Sequence, residues 1–164
     1  WQQVTSLCGK AYAGKIVVDN DPSDAWHHKP LIMHVRVCNK HQIQIPFHVG
    51  DDHSRTWLLT KTATGLQLKH DHREKDGKAS HSTLYGGHTA AAGWPQVQSF
   101  PADDYSKQMF VEQGIPQSVD NTWQFFIYPD RFTYRLTRPA REFRVDFDLT
   151  QPVTPPPAPW GYQE

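Results

Sequence analysis

Read with a period of two, the chain is a succession of short segments that each have one apolar and one polar face. Ile43, Ile45, Phe47 and Val49 alternate with Gln42, Gln44, Pro46 and His48, and Phe143, Val145, Phe147 and Leu149 alternate with Glu142, Arg144, Asp146 and Asp148. Such alternation gives a strand one dry and one wet face. The same pattern, with its β-branched and aromatic residues, predicts strands over 15–18, 31–38, 42–49, 55–60, 65–73, 80–85, 123–128, 132–137 and 142–149. Turn-forming residues at Thr62–Gly65, Lys75–Lys78 and Tyr128–Arg131 connect consecutive strands. A meander of that many strands exposes two edges unless it closes. The expected fold is therefore all-β, a single antiparallel meander closing into a lipocalin-like barrel, with a β-sandwich as the alternative.

Two stretches depart from the alternation. Residues 86–121, with Gly86-Gly87, Ala90–Gly93 and Pro95, read as a long excursion of the kind that often supplies a lid or a binding loop. Within it, 103–113 predicts the one short helix: Tyr105 and Met109 follow helical spacing, with Asp103 or Asp104 at the N-terminus. A strand through Lys107–Val111 is the competing reading. The segment Pro152–Pro159 holds five prolines and cannot join a sheet interior, so it is either an extended strap or a linker. The expected organisation is one barrel domain over 1–150 and a Pro-rich tail over 151–164.

Composition narrows the class. In 164 residues, 37% hydrophobic and 12% aromatic content suffices for one substantial core. Seventeen basic and seventeen acidic residues cancel, so no overall field recruits nucleic acid or an anionic membrane, and no nucleic-acid partner is expected. No apolar run approaches the ~18 residues of a membrane span, so no transmembrane segment is expected. Cys8 and Cys38 fall opposite each other if 11–18 pairs with 31–37 across the 19–30 loop, which favours a disulfide over two free thiols. A bridge implies an oxidising compartment. The first residue, Trp1 rather than Met, fits a mature chain after signal-peptide removal or a trimmed one. Periplasmic or secreted localisation is the expectation.

Candidate chemistry centres on Gly65–Arg73. Leu66, Leu68, His70 and His72 share one face, with Gln67, Lys69, Asp71 and Arg73 on the other, so two imidazoles point into the interior. A His-x-His pair holds a transition metal when a third ligand arrives from a neighbouring strand. A hairpin around Glu74–Lys78 places Ser80 opposite His72 and Ser82 opposite His70, and a one-residue slip brings His81 instead. Without a third ligand, the pair sits at the barrel mouth hydrogen-bonded to hydroxyls and water. The candidate ligand-binding set is His70, His72, Ser80, Ser82 and Trp57; the candidate metal ligands are His70 and His72. No catalytic residue is assigned, because there is no Gly-x-Ser-x-Gly elbow, no Ser–His signature and no lysine or helix start after Gly86-Gly87. His34, sharing a face with Arg36 and Cys38, is expected to point outward, and the remaining histidines are scattered.

The segment 65–77 superficially resembles the first cupin motif, but Glu74 follows His72 too closely and the later histidine motif is missing, so cupin metal chemistry is not carried over. The runs 46–57, 66–77 and 143–149 resemble segments of secreted bacterial proteins with no established activity, which implies an extracytoplasmic location. The leading functional expectation is a non-catalytic periplasmic or secreted barrel that binds a small molecule at a partly polar interior face. The alternatives are a metal-binding protein or metal-dependent enzyme using His70 and His72, and an envelope structural or interaction module.

Overall fold

The computed structural model describes residues 1–22 and 24–163, with only the backbone of residues 24 and 25; Ser23 in the 19–30 loop and Glu164 at the end of the tail lie outside the described residues. Eleven strands form one antiparallel sheet. They are β1 (Ala11–Asp19), β2 (Leu31–His34), β3 (Val37–Cys38), β4 (Gln42–Val49), β5 (Asp52–Thr62), β6 (Gly65–His72), β7 (Tyr85–His88), β8 (Val97–Pro101), β9 (Thr122–Ile127), β10 (Arg131–Arg138) and β11 (Arg141–Val153). The spatial order is β7-β6-β5-β4-β2-β1-β11-β10-β9-β8, with β3 beside β4 off the main path. Apart from β3 and from the β7–β8 step, strands consecutive along the chain are sheet neighbours, and β11 returns to pair with β1 through Gly14↔Phe147 and Ile16↔Val145. The meander is rolled into a nearly closed barrel, as the alternation predicts.

The remaining seam lies between β7 and β8, and here the sequence pattern misleads. Gly86 and Gly87 are strand residues rather than the start of a loop. A Cβ on Gly87 would sit 1.8 Å from the Pro101 carbonyl oxygen, and one on Gly86 1.9 Å from the Leu68 carbonyl oxygen. Backbones approach this closely only where side chains are absent. A bridge between Gly87 and Ala102 spans the seam. The helix α3 (Asp104–Glu112) covers it, capped by Asp103, whose side chain accepts from the Ser106 N–H. The fully buried Ser106 hydroxyl accepts from the Gly86 N–H at 2.8 Å and lies 2.9 Å from the Gly86 carbonyl, replacing the ladder bonds that β8 does not supply.

Three other details differ from the sequence pattern. The 80–85 segment enters the sheet only at Tyr85, because Ser80 N bonds His72 O while Leu84 N bonds His70 O. The segment therefore advances four residues while β6 advances two, and Leu84 takes a positive φ of 57° to absorb the excess. The excursion also contains a strand that its Pro and Gly content concealed, β8, which pairs with β9 through Phe100↔Trp123. Beyond α3, two single-turn helices, α1 (Gln2–Thr5) and α2 (Asp24–His27), and a 3-10 turn over Pro116–Asp120 lie outside the sheet.

Cys8 and Cys38 form a disulfide with Cα atoms 6.3 Å apart, consistent with the register Ala11↔His34 and Tyr12↔Met33 beside them. Inside the barrel, Phe47, Trp57, Phe125, Phe132 and Phe147 interleave at centroid distances of 5.0–6.4 Å, for example Phe47–Trp57 stacked at 5.0 Å and Phe125–Phe132 at 5.0 Å. This part of the interior is solidly packed. After β11 the tail crosses the outside of the barrel as a strap. Trp160 N–H donates to the His53 carbonyl at 3.0 Å, Pro159 is buried, and the Tyr162 hydroxyl donates to Asp71 Oδ2 at 2.5 Å. Asp71 thereby becomes a buried residue on the outer face, with Arg73 Nε 3.1 Å from the same oxygen.

These contacts set two expected outcomes. Ser106→Ala leaves the Gly86 N–H unpaired at the seam, and chemical denaturation should show a loss of about 1–3 kcal/mol. Tyr162→Phe removes a donor from the buried Asp71 carboxylate, and calorimetry should show a similar loss, on the order of 2–10 °C in Tm.

Candidate functional site

On four strands the inward residue, followed toward one end of the barrel, changes from an apolar or aromatic side chain to an arginine or histidine. On β5 the inward series Leu59, Trp57 ends in Arg55; on β6 Leu68, His70 ends in His72; on β10 Tyr134, Leu136 ends in Arg138; on β11 Val145, Phe143 ends in Arg141. These ends are neighbours because the ladders place Arg55 opposite His72 and Arg138 opposite Arg141. Between them lies a cavity of about 340 Å3, walled also by Asp19 of β1, Trp26 of α2, Phe110 of α3, Ser118 and Asn121 beside the 3-10 turn, and Trp123 of β9. The 86–121 excursion thus supplies part of the wall.

The floor is a polar chain with every member satisfied. His70 is 2% exposed; its Nδ1 lies 3.1 Å from the Tyr85 carbonyl and its Nε2 3.0 Å from the Tyr134 hydroxyl. A carbonyl can only accept, so Nδ1 carries the proton and Nε2 accepts from the phenol. The Tyr134 oxygen in turn accepts from the Trp123 indole. Burial, only partly opposed by the Tyr85 carbonyl, pushes the His70 pKa down to about 3. Burial likewise raises the Tyr134 and Tyr85 phenols, so all three groups stay neutral.

The rim is charged and held in place. Arg55 Nη1 lies 2.5 Å from Asp52 Oδ2, and its guanidinium is 4.9 Å from the centre of the Trp26 ring. Arg141 Nη1 lies 2.6 Å from Asp19 Oδ1, whose other oxygen is 2.9 Å from His27 Nε2. Burial pushes Asp19 up, but the hydrogen bonds from His27 and Arg141 outweigh it and hold the carboxyl below its ordinary value. Among the described residues, Arg138 Nη1 donates only to the Asn121 side-chain oxygen, at 3.3 Å. His72 is half-buried, and its pKa is lowered first by burial and then by Arg55. Trp26 packs edge-on against Phe47 and Phe143, at 5.6 and 5.4 Å, and closes one side.

Of the residues singled out in the sequence, His70 and His72 share the inward face of β6, His72 on the cavity wall and His70 in the floor. Trp57, 1% exposed, lies behind Tyr134 with rings stacked at 4.6 Å. Ser80 and Ser82 precede β7 and are not on the wall; the Ser82 hydroxyl donates to Gln113 Oε1. Among the described residues, no group of three or more His, Cys, Asp or Glu is arranged to hold a metal ion. Among the described residues, the one serine hydroxyl on the wall, that of Ser118, has no hydrogen bond to an imidazole. Arg55, Arg138 and Arg141 were missed in the sequence, although each continues a period-two apolar face past its aromatic residue, the same signal that marked His72; Asp19 carries no such signal, because it shares the parity of the exposed Lys15 and Val17 and reaches the cavity through the register shift between Ile16 and Val18.

A second histidine group lies on the outer face. His48 and Ile32 are cross-strand partners, and the His48 ring is 4.2 Å from His53, which is 6.4 Å from Trp160 of the strap. His34 faces outward as expected but is buried, at 9% exposure. Neither ring nitrogen of His48, nor His34 Nδ1, has a hydrogen-bond partner among the described residues. Burial, and then His53 and His34, push the His48 pKa down to about 4.

Comparison with protein-family models, curated proteins and solved structures found no match. No helix among the described residues is long and apolar enough to cross a membrane.

Because His48 and His70 stay neutral in the fold, the unfolded chain takes up protons first as pH falls. Their contribution is fully present above about pH 6.5 and is lost as pH drops below it, by up to about 1.4 kcal/mol per pH unit for each imidazole. Denaturation at pH 7.0, 5.5 and 4.5, above the range where the depressed carboxylates titrate, should show this fall. His34 and His72, whose pKa values burial also lowers, add to the fall, so His48→Leu should make the slope in that window shallower without removing it.

Proposed function

We propose that the protein is a non-catalytic binding barrel of a periplasmic or secreted setting, which takes a small molecule into the mouth cavity. The observation that carries this reading is the cavity itself: about 340 Å3, within the range of small-ligand sites, with aromatic walls under a charged rim. The middle of the barrel is filled by aromatic side chains, and the recess at its other end, beside Leu59, Phe100 and Phe125, is smaller, at about 120 Å3. The pre-formed floor supports binding over chemistry. Its imidazole is hydrogen-bonded to the Tyr134 phenol and the Tyr85 carbonyl, and the imidazole and both phenols are held neutral, which leaves none of them poised to move a proton near pH 7. The disulfide supports the compartment, since such bonds persist where the surroundings are oxidising.

A neutral apolar fluorophore, N-phenyl-1-naphthylamine, tests the reading. Titration should give a saturable, one-to-one enhancement. Leu136→Trp, which fills the cavity, should weaken it at least tenfold, whereas Leu58→Trp on the outer face should not. Absence of saturable binding, or equal binding by both variants, overturns the proposal.

A further inference from the structure

Resting on that binding reading, we propose that the ligand is a monoanionic amphiphile, a carboxylate on a compact aromatic or aliphatic body, with its head at Arg138 and its body against Trp123, Tyr134 and Phe143. The chain carries no net charge, yet its cavity wall gathers three arginines against one carboxylate, Asp19. Two of the three are committed: Arg55 to Asp52, and Arg141 to Asp19. Arg138 is not. Among the described residues its one hydrogen bond, at 3.3 Å, goes to the neutral side-chain amide of Asn121, which leaves most of its five N–H donors without a protein acceptor.

Placement sharpens the point. Arg138 and Arg141 are direct cross-strand partners where the β10–β11 hairpin ends, and like charges so placed oppose the pairing. Asp19 offsets one of them, and an anion seated at Arg138 offsets the other. A guanidinium presents a planar fork that matches the two oxygens of a carboxylate. The floor decides the orientation. The donors and acceptors of His70, Tyr134 and Trp123 are already paired, so no polar ligand group is required there and the deep end suits an apolar body. A cavity near the small end of the ligand-site range limits that body to a ring system or short chain.

The test is a calorimetric titration of wild-type protein with 2-naphthoate and its neutral isostere 2-naphthamide, at low and high salt. The acid should bind at least tenfold more tightly than the amide, and salt should weaken the acid alone. Arg138→Gln should abolish the preference, bringing acid and amide affinities within twofold of each other, whereas Lys15→Gln, a cation on the outer face, should leave the preference as it is. If Arg138→Gln does not fold, the wild-type acid-to-amide ratio and its salt dependence decide by themselves. Equal binding of acid and amide overturns the anion assignment while leaving the cavity reading intact. Failure of both naphthyl compounds and of N-phenyl-1-naphthylamine to bind overturns both.

Discussion

The pairing of β1 with β11 is the constraint on which everything else in this molecule rests. It joins residues near the two ends of the chain, Ala11 with Val153 and Asp19 with Phe143, and turns an open meander into a ring. Closing so long a loop costs entropy, which the pairing offsets through burial. Gly14 shows how tight the join is: a Cβ there would lie 2.7 Å from the ring of Phe147, so the absence of a side chain on β1 is what lets Phe147 fill the core. From Phe147 the packing passes to Phe47 and Trp57, and so to the opposite wall.

Once the ring is closed, the inward residues of all strands stack in tiers, and the chemistry of each tier is shared. The aromatic tiers fill with rings. The terminal tier cannot, because guanidinium and carboxylate groups are too costly to bury without partners and water. The cavity exists where the inward face changes from rings to charges, and the His70–Tyr134–Trp123 chain is the boundary between the two regimes. A polar chain so deep in a core is tolerated because each of its members is paired.

Covers complete what the ladder leaves open. Helix α3 seals the β7–β8 seam with one serine hydroxyl, and the strap lies on the outer face of β5 and β6, burying Asp71 with a donor and packing Trp160 beside His53. The two covers thus differ in kind: the first satisfies backbone groups, and the second satisfies a carboxylate.

Much of this was legible in the residues. Alternation in 42–49 and 142–149, and the apolar-face continuity that set His70 and His72 inward, follow from a period of two that each strand carries by itself; the disulfide followed from local register. The helix at 104–112 was readable from spacing and its aspartate cap. What was not legible depends on partners distant in the chain. Gly86-Gly87 reads locally as a turn and is a strand only because Pro101 and Leu68 approach its backbone. Asp71 reads as solvent-facing and is buried where Tyr162 of the tail returns to it. Arg55, Arg138 and Arg141 each look like an ordinary strand-end charge, and only barrel closure gathers them around one cavity. The sequence by itself determined which face of the alternating strands was dry; the tertiary structure decided which strand ends meet, because that depends on closure between segments more than a hundred residues apart.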